Sequence, residues 1–419
     1  MNLPTIATLE DGLTVIAQNL PVDAVNFNLW SQVGSRLETP DISGMAHFLE
    51  HMVFKGTDRL ALGEFERKIE SRGAITNAAT SHDYTHFYLT CAPSDLADLA
   101  PLQMDVVMNP SVPTAEFDRE KQVVLEEIRR SDDNPQRRNY QRLAELLFPD
   151  SPYRHPVLGT PETVGGISAE AMRSFHDNYY HPHRLTAVVV GDVVVEEAID
   201  IVRNSVDRIS RNPQDASPMN TFTHPETDDL TPFETIERRK YTDADLQQGR
   251  LYLAWRTPGT VDLAETYALD AIAAIVGQGR TSRLVRQLRE EEHLVSSISA
   301  SNVTYYQQGY FVVSAHLPAE NLAIAEAKIR AQIERWQTEL VAPAELQKVA
   351  VQVANRHIFG SETPGDRANL YGYYQTVIGN IPSAFDYPRA MRALTPEDLR
   401  HAAQKYLSPE AFGVLTIDN

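Results

Sequence analysis

Short alternating segments along this chain give way repeatedly to longer stretches with helical spacing. In Phe27-Asn28-Leu29-Trp30-Ser31, apolar and polar positions alternate, which predicts a half-buried strand over Asn26–Val33. Thr85–Cys91 alternates in the same way, and Leu9-Glu10-Asp11-Gly12-Leu13-Thr14-Val15-Ile16-Ala17 reads as a turn entering a strand. Between such strands the periodicity changes, and helices are predicted near residues 94–108, 114–132 and 168–179. The helix from Thr114 is the strongest, with Thr114 itself as a plausible N-cap. Strands mixed with amphipathic helices predict an α+β chain built of two-layer domains, helices on one face of a sheet. One stretch is apolar nearly all round: Met45, Ala46, Phe48, Leu49, Met52, Val53 and Phe54 leave a helix there no solvent face, so it must be buried.

The pattern repeats. Ile167-Ser168-Ala169-Glu170-Ala171-Met172-Arg173 aligns with Leu394-Thr395-Pro396-Glu397-Asp398-Leu399-Arg400, an offset of 227. At the same offset Tyr179 meets Tyr406, Pro182 meets Pro409, and Thr186–Val190 meets Gly413–Ile417. Ala115-Glu116-Phe117 resembles Ala344-Glu345-Leu346 at an offset of 229. That period is too long for a solenoid and implies two copies of one domain. They are predicted over 1–215 and 230–419, joined by a linker at 216–229 within the polar, Pro-containing stretch Asn212 to Asp229.

Composition narrows the possibilities. A chain of 419 residues is too long for one ordinary domain, and 42% hydrophobic residues suffice for real cores. No apolar run approaches the roughly 18 residues of a membrane span, and the N-terminus lacks the basic start and apolar core of a signal peptide. The single cysteine, Cys91, allows no internal disulfide and fits a reducing compartment, so a cytoplasmic location is expected. A formal charge of −19 disfavours nucleic acid as a partner.

Chemistry concentrates in the buried helix. His47-Phe48-Leu49-Glu50-His51 sets two imidazoles one turn apart on one face with a carboxylate beside them. This His-x-x-Glu-His order is the inverzincin signature. A lone buried histidine is usually a hydrogen-bonded core residue, but two at i, i+4 around a glutamate point to a metal, zinc above all. On the helix from Thr114, Glu120 and Glu127 are seven residues apart and nearly in line, with Val123 and Val124 flanking them; Glu126 points away. Two carboxylates so placed suit a cation, or else an ordinary salt-bridged helix face. His82 and His86 share the i, i+4 spacing, but strand alternation separates them, and His181 and His183 flank a proline in a loop.

These motifs resemble the M16 (pitrilysin-type) metallopeptidases, in the short-chain branch that includes the beta subunit of mitochondrial processing peptidase. The resemblance runs over essentially the whole chain, through Gly73-Ala74-Ile75-Thr76-Asn77-Ala78, Tyr153-Arg154-His155-Pro156-Val157-Leu158-Gly159 and Tyr180-His181-Pro182. In that family the third zinc ligand is a Glu about seventy-six residues beyond the second His, and 127 − 51 = 76 here. The resemblance therefore implies His47, His51 and Glu127 as zinc ligands, Glu50 as general base and Glu120 as an acidic residue supporting the catalytic site. It implies two homologous two-layer α/β domains of the LuxS/MPP-like metallohydrolase fold, and a zinc endopeptidase acting on short or unfolded peptides in an enclosed chamber. Asn77 and Ala78 match the edge strand that aligns an extended peptide. Arg367 and Tyr374, seven apart, resemble the Arg and Tyr pair that holds the substrate backbone near zinc, although other tyrosines lie close by. Because one chain carries both the motif and the pair, the implied assembly is a homodimer with shared sites, or a heterodimer with a metal-free homologue.

The two halves are chemically unequal. Gly44, opening the buried helix, resembles Gly279 ahead of Arg280-Thr281-Ser282-Arg283-Leu284, an offset of 235 that sets Ser282 and Arg286 against His47 and His51. The offset of 229 sets Arg356 against Glu127, so the second domain is expected to hold no zinc and to be structural or substrate-contacting.

Overall fold

The computed structural model describes residues 3–209 and 231–418, so the predicted linker at 216–229 lies outside the described residues. The chain divides into two compact units, the first drawn from Met1–Arg130, His155–Glu226 and Ser361–Ala384, the second from Ser131–Arg154, Thr227–Gly360 and Phe385–Asn419.

The first unit is built on a mixed six-stranded sheet. Its strands are β1 (Thr5–Thr8), β2 (Thr14–Asn19), β3 (Val25–Ser31), β4 (Ile75–Thr80), β5 (Thr85–Cys91) and β6 (Leu185–Gly191), in the order β1-β2-β6-β3-β5-β4. Only β2 and β6 run parallel. Its helices are α1 (Met45–Val53), α2 (Glu64–Ser71), α3 (Leu96–Met108), α4 (Thr114–Asp132), α6 (Pro161–Gly166), α7 (Ala169–Tyr179), α8 (Val195–Ile209) and α12 (Pro364–Tyr373). Phe27 and Leu29 of β3 and Phe87 and Leu89 of β5 meet Phe48, Leu49, Met52 and Val53 of α1 in one apolar core. Each such side chain contributes about 1.5–3 kcal/mol on burial.

The second face of β3 departs from expectation. Alternation predicts a half-buried strand, yet every residue of β3 is buried. The polar face is covered by α12, more than three hundred residues downstream, and is polar because it hydrogen-bonds there. Asn28 Nδ2 donates to Asn369 Oδ1 at 2.9 Å. Gly372 makes the close approach possible, since a Cβ there would stand 2.1 Å from Trp30 Nε1.

The second unit repeats this plan. Its strands β7 (Glu237–Thr242), β8 (Gly249–Pro258), β9 (Ser297–Thr304), β10 (Gln308–Leu317) and β11 (Gly413–Asp418) take the order β7-β11-β8-β10-β9, with β7 and β11 parallel. This is the order β2-β6-β3-β5-β4 of the first unit, as the internal repeat requires. Its helices are α5 (Pro135–Leu147), α9 (Leu263–Gly277), α10 (Leu322–Thr338), α11 (Pro343–Phe359) and α14 (Pro396–Tyr406); α13 (Pro382–Ala393) runs from the first unit into it. Leu253, Trp255, Phe311 and Val313 pack one face of its sheet against Ile272, Ile329, Ile333 and Trp336. Leu143, Leu146 and Leu147 of α5 cover Ala254, Leu415 and Ile417 on the other. Among the described residues, no helix is long and apolar enough to cross a membrane.

Candidate metal centre

The site grows from the first turn of α1. Its N-cap, Gly44, has φ 94° and offers no side chain to the open N–H groups of the turn. A buried carboxylate six residues upstream takes that role: Glu38 accepts from Gly44 N–H at 2.8 Å and from Ala46 N–H at 2.7 Å. Burial pushes the Glu38 carboxyl up to about 7 even though both backbone bonds pull it down. Ser35 and Arg36 tie the same segment to the β4–β5 turn, Ser35 Oγ meeting His82 Nδ1 at 2.7 Å and Arg36 Nε donating to Asp83 at 3.0 Å. Gly44 also lies against Gly159, whose added Cβ would stand 2.3 Å from the Ser43 carbonyl oxygen.

So fixed, α1 presents His47, Glu50 and His51 toward α4. There Phe117, Val124 and Ile128 are buried, Phe117 stacking on Phe48 at 4.8 Å, and this orients Glu120 and Glu127 to the histidines. Glu127 Oε2 lies 3.7 Å from His47 Nε2 and 3.5 Å from His51 Nε2. One ligand atom from each of the three residues falls within 4.8 Å of the others, and among the described residues no other such group of His, Cys, Asp or Glu occurs. Glu120 stands behind His51, its Oε1 3.0 Å from Nδ1, and Lys55 Nζ lies 2.7 Å from Glu120 Oε2. Glu50 accepts from the Thr80 hydroxyl on β4. Glu126 turns away and pairs with Arg129 and Arg130, as its spacing requires.

Electrostatics separates the carboxylates. Burial raises the Glu50 carboxyl above its ordinary value, against the bond from Thr80. For Glu120 burial acts in the same direction, but the bonds from Lys55 and His51 outweigh it and hold the carboxyl low. Burial lowers the His51 imidazolium, yet its bonds to Glu127 and Glu120 carry it above its ordinary value. The donor set fits zinc: two imidazoles and one carboxylate converge, and one imidazole has its far nitrogen fixed by a second carboxylate.

The substrate-contacting candidates fall in two places. Asn77 and Ala78 lie on β4, the edge strand that also carries Thr80, and Asn77 Oδ1 accepts from Ala78 N–H at 2.9 Å. Arg367 and Tyr374 lie across the sheet, since α12 covers the face of β3 opposite α1. Arg367 donates to Gln18 Oε1 at 3.0 Å and to the Ser361 carbonyl at 2.9 Å. Tyr371, rather than Tyr374, shares that Gln18 oxygen, at 2.9 Å, and Tyr374 opens a π-helical turn. His82 and His86 are buried, with Nδ1 2.7 Å from Ser35 Oγ and 3.3 Å from Asn28 Oδ1 respectively, and neither belongs to the convergent group formed among the described residues. Thr114 is the first residue of α4 rather than its cap. In the second unit Ser282 Oγ donates to the Gly279 carbonyl and Arg356 to Gln278, with no metal-ligating group among the described residues.

Sequence reasoning passed over Lys55, Thr80 and Glu38. Lys55 carried a signal, standing four residues after His51 on the side of Glu120. Thr80 and Glu38 act through contacts made by folding, which no local spacing encodes.

Comparison with known proteins points to one family. Residues 13–161 match the family model described as Insulinase (Peptidase family M16), and residues 166–352 the one described as Peptidase M16 inactive domain. A protein of Mycobacterium leprae named an uncharacterized zinc protease is 32% identical over 74% of this chain and 68% of its own length. A zinc protease of Rickettsia bellii, likewise uncharacterized, is 26% identical over 97% of this chain and 95% of its own. The crystal structure of a protease from Helicobacter pylori superposes over 100% of both chains with a TM-score of 0.89 at 24% identity. The His-x-x-Glu-His helix, the paired domains and these likenesses converge on one assignment: the chain belongs to peptidase family M16.

Proposed function

We propose that the chain is a zinc endopeptidase cutting short or unfolded peptides, with His47, His51 and Glu127 as ligands. The observation that carries this reading is the convergence of their donor atoms within 4.8 Å beside Glu50. Zinc, when bound, supplies Lewis acidity toward a peptide carbonyl and a water made acidic near neutral pH. Glu50, one oxygen held by the Thr80 hydroxyl, accepts a proton from the attacking water and delivers it to the leaving amine. Burial raises its carboxyl above the ordinary value, which favours uptake of that proton. Glu120 fixes the tautomer of His51 by holding Nδ1, so that Nε2 faces the ligand group. The open edge of β4 receives the substrate as an added strand at Asn77 and Ala78, the Asn77 side chain giving up the Ala78 N–H to the incoming backbone.

The proposed assembly is a homodimer enclosing a chamber, in which Arg367 and Tyr374 of one subunit hold substrate near the metal group of the other. For that role Arg367 exchanges its bond to Gln18 for one to the peptide.

Digestion of a mixed peptide library, read by mass spectrometry for the zinc-loaded wild type and Glu50→Gln, tests the reading. Internal cuts by wild type alone, with equal zinc in both, support it. Equal cutting by both proteins overturns the role of Glu50. No cutting by the zinc-loaded wild type overturns autonomous activity and points to a second, different subunit.

A further inference from the structure

Thr80 and Thr85 stand directly opposite each other where β4 and β5 meet in their hairpin. Opposite residues of an antiparallel pair share a face, and Thr80 reaches Glu50 of α1, so Thr85 lies on that face too. Thr85 is fully buried. Its hydroxyl carries one proton and has two oxygens in reach, the Val33 carbonyl at 2.8 Å and Thr80 Oγ1 at 3.3 Å.

The Val33 carbonyl is a fixed point, because the residues that follow it are locked onto the hairpin turn. At Gly34 an added Cβ would stand 2.3 Å from the Ser81 carbonyl oxygen and 2.5 Å from that of His82. Ser35 N–H and Arg36 N–H donate to those same two carbonyls at 3.2 and 2.9 Å. Ser81 N–H donates to the Tyr84 carbonyl at 2.8 Å and closes the turn. The anchor of Thr85 and the strand that carries Thr80 are therefore held in one register.

Thr80 also has a single proton, with Glu50 Oε2 and Thr85 Oγ1 both in reach. When the Thr85 proton lies between Val33 and Thr80, a lone pair of Thr80 faces Thr85 and the Thr80 proton is left for Glu50. Without a hydroxyl at position 85, nothing on that side orients Thr80, and it can leave its rotamer and release Glu50. We propose that Thr85 is a positioning residue for the catalytic carboxylate: anchored on the Val33 carbonyl, it fixes the Thr80 hydroxyl on Glu50. Being buried, it touches neither metal nor substrate. This role rests on Glu50 being the general base.

A double-variant cycle on the zinc-loaded full chain tests it. Thr85→Val keeps the shape of the side chain and its fitness for a strand, and removes the hydroxyl. It is expected to lower kcat about three- to tenfold, the range of one neutral hydrogen bond, at unchanged KM and zinc content. Thr85→Ser, which restores the hydroxyl, is expected to stay within about twofold of wild type. In a Thr80→Val background the change to valine should cost nothing more, because Thr85 acts only through Thr80. A merely structural contribution would multiply equally in both backgrounds. Thr85→Val at the wild-type kcat, or an equal loss with and without the Thr80 hydroxyl, overturns the role. Should Thr85→Val fail to fold, Thr85→Cys, of similar size and only a weak donor, carries the same cycle. Failure of the peptidase reading shows separately, as no cutting by wild type or equal cutting by Glu50→Gln. Crystal structures of wild type and Thr85→Val then decide: Thr80 leaving its rotamer on Glu50 upholds the chain of contacts, and an unchanged Thr80–Glu50 bond overturns it.

Discussion

Replacing Glu120 by Gln tests how the metal group is held. The carboxylate is 13% exposed, its Oε1 is 3.0 Å from His51 Nδ1 and its Oε2 is 2.7 Å from Lys55 Nζ. Glutamine keeps the shape but loses the charge on both contacts. If the amide oxygen stays on His51, the NH2 group faces the Lys55 ammonium, donor against donor. If it flips, His51 Nδ1 must shed its proton, and the tautomer that points Nε2 at the ligand group is lost. A hydrogen bond to a charged group contributes about 1.5–3 kcal/mol. At 1.4 kcal/mol per factor of ten, losing one weakens zinc roughly 10–100-fold, the span usual for partners that orient a metal-bound histidine. Competition against a fluorescent chelator measures this without reference to catalysis. Glu126→Gln, on the same helix but paired outward with Arg129 and Arg130, is the control and should leave zinc affinity unchanged. Lys55→Met and the double variant complete a cycle, whose coupling energy should be at least about 0.5 kcal/mol because the residues share one network. Zinc bound within twofold of wild type by Glu120→Gln, with the melting temperature unchanged, would refute the orienting role.

Three further outcomes are expected. Thr80→Val removes the hydroxyl that holds Glu50 and should lower turnover about tenfold while zinc affinity stays constant, read by progress curves and metal titration on one preparation. Gly372→Ala should destabilise by about 1–3 kcal/mol, reversing the usual helix preference for alanine, because the new methyl meets a Trp30 ring already stacked on His86 at 4.3 Å; an unchanged or higher melting temperature would contradict it. Asp270 accepts from Asn302 at 2.9 Å and from Tyr387 at 2.9 Å, and burial pushes its carboxyl up to about 6. Its folded value exceeds its unfolded one, so its stabilising contribution is complete below about pH 4 and is lost as pH rises through 6, by at most about 3 kcal/mol. Denaturant melts of wild type and Asp270→Asn from pH 4 to 7 should show that loss in wild type alone, and parallel curves would count against it.

What was legible in the sequence and what was not divide along a physical line. Local periodicity is enough to set α4 over 114–132 and β5 over 85–91, because each buries one stripe or face against its own layer. The i, i+4 histidines and the line from Glu120 to Glu127 are legible for the same reason, as faces of single helices. Asn26 and Asn28 mislead, because a polar face normally means solvent, and only the arrival of α12 turns it into a buried, hydrogen-bonded layer. Glu38 is invisible for a related reason, since the turn it caps begins six residues later and its burial is set by the whole unit. The repeat shows how far apart one plan can drift. Its strand order survives intact, because changing it would expose a core on either face of the sheet. The pair of helical elements carrying the metal group is under no such constraint in the second copy, where arginine replaces the second histidine and the shorter element winds as a π-helix. Packing therefore preserves the scaffold, while the side chains mounted on it are free to change, here from two histidines to a serine and an arginine.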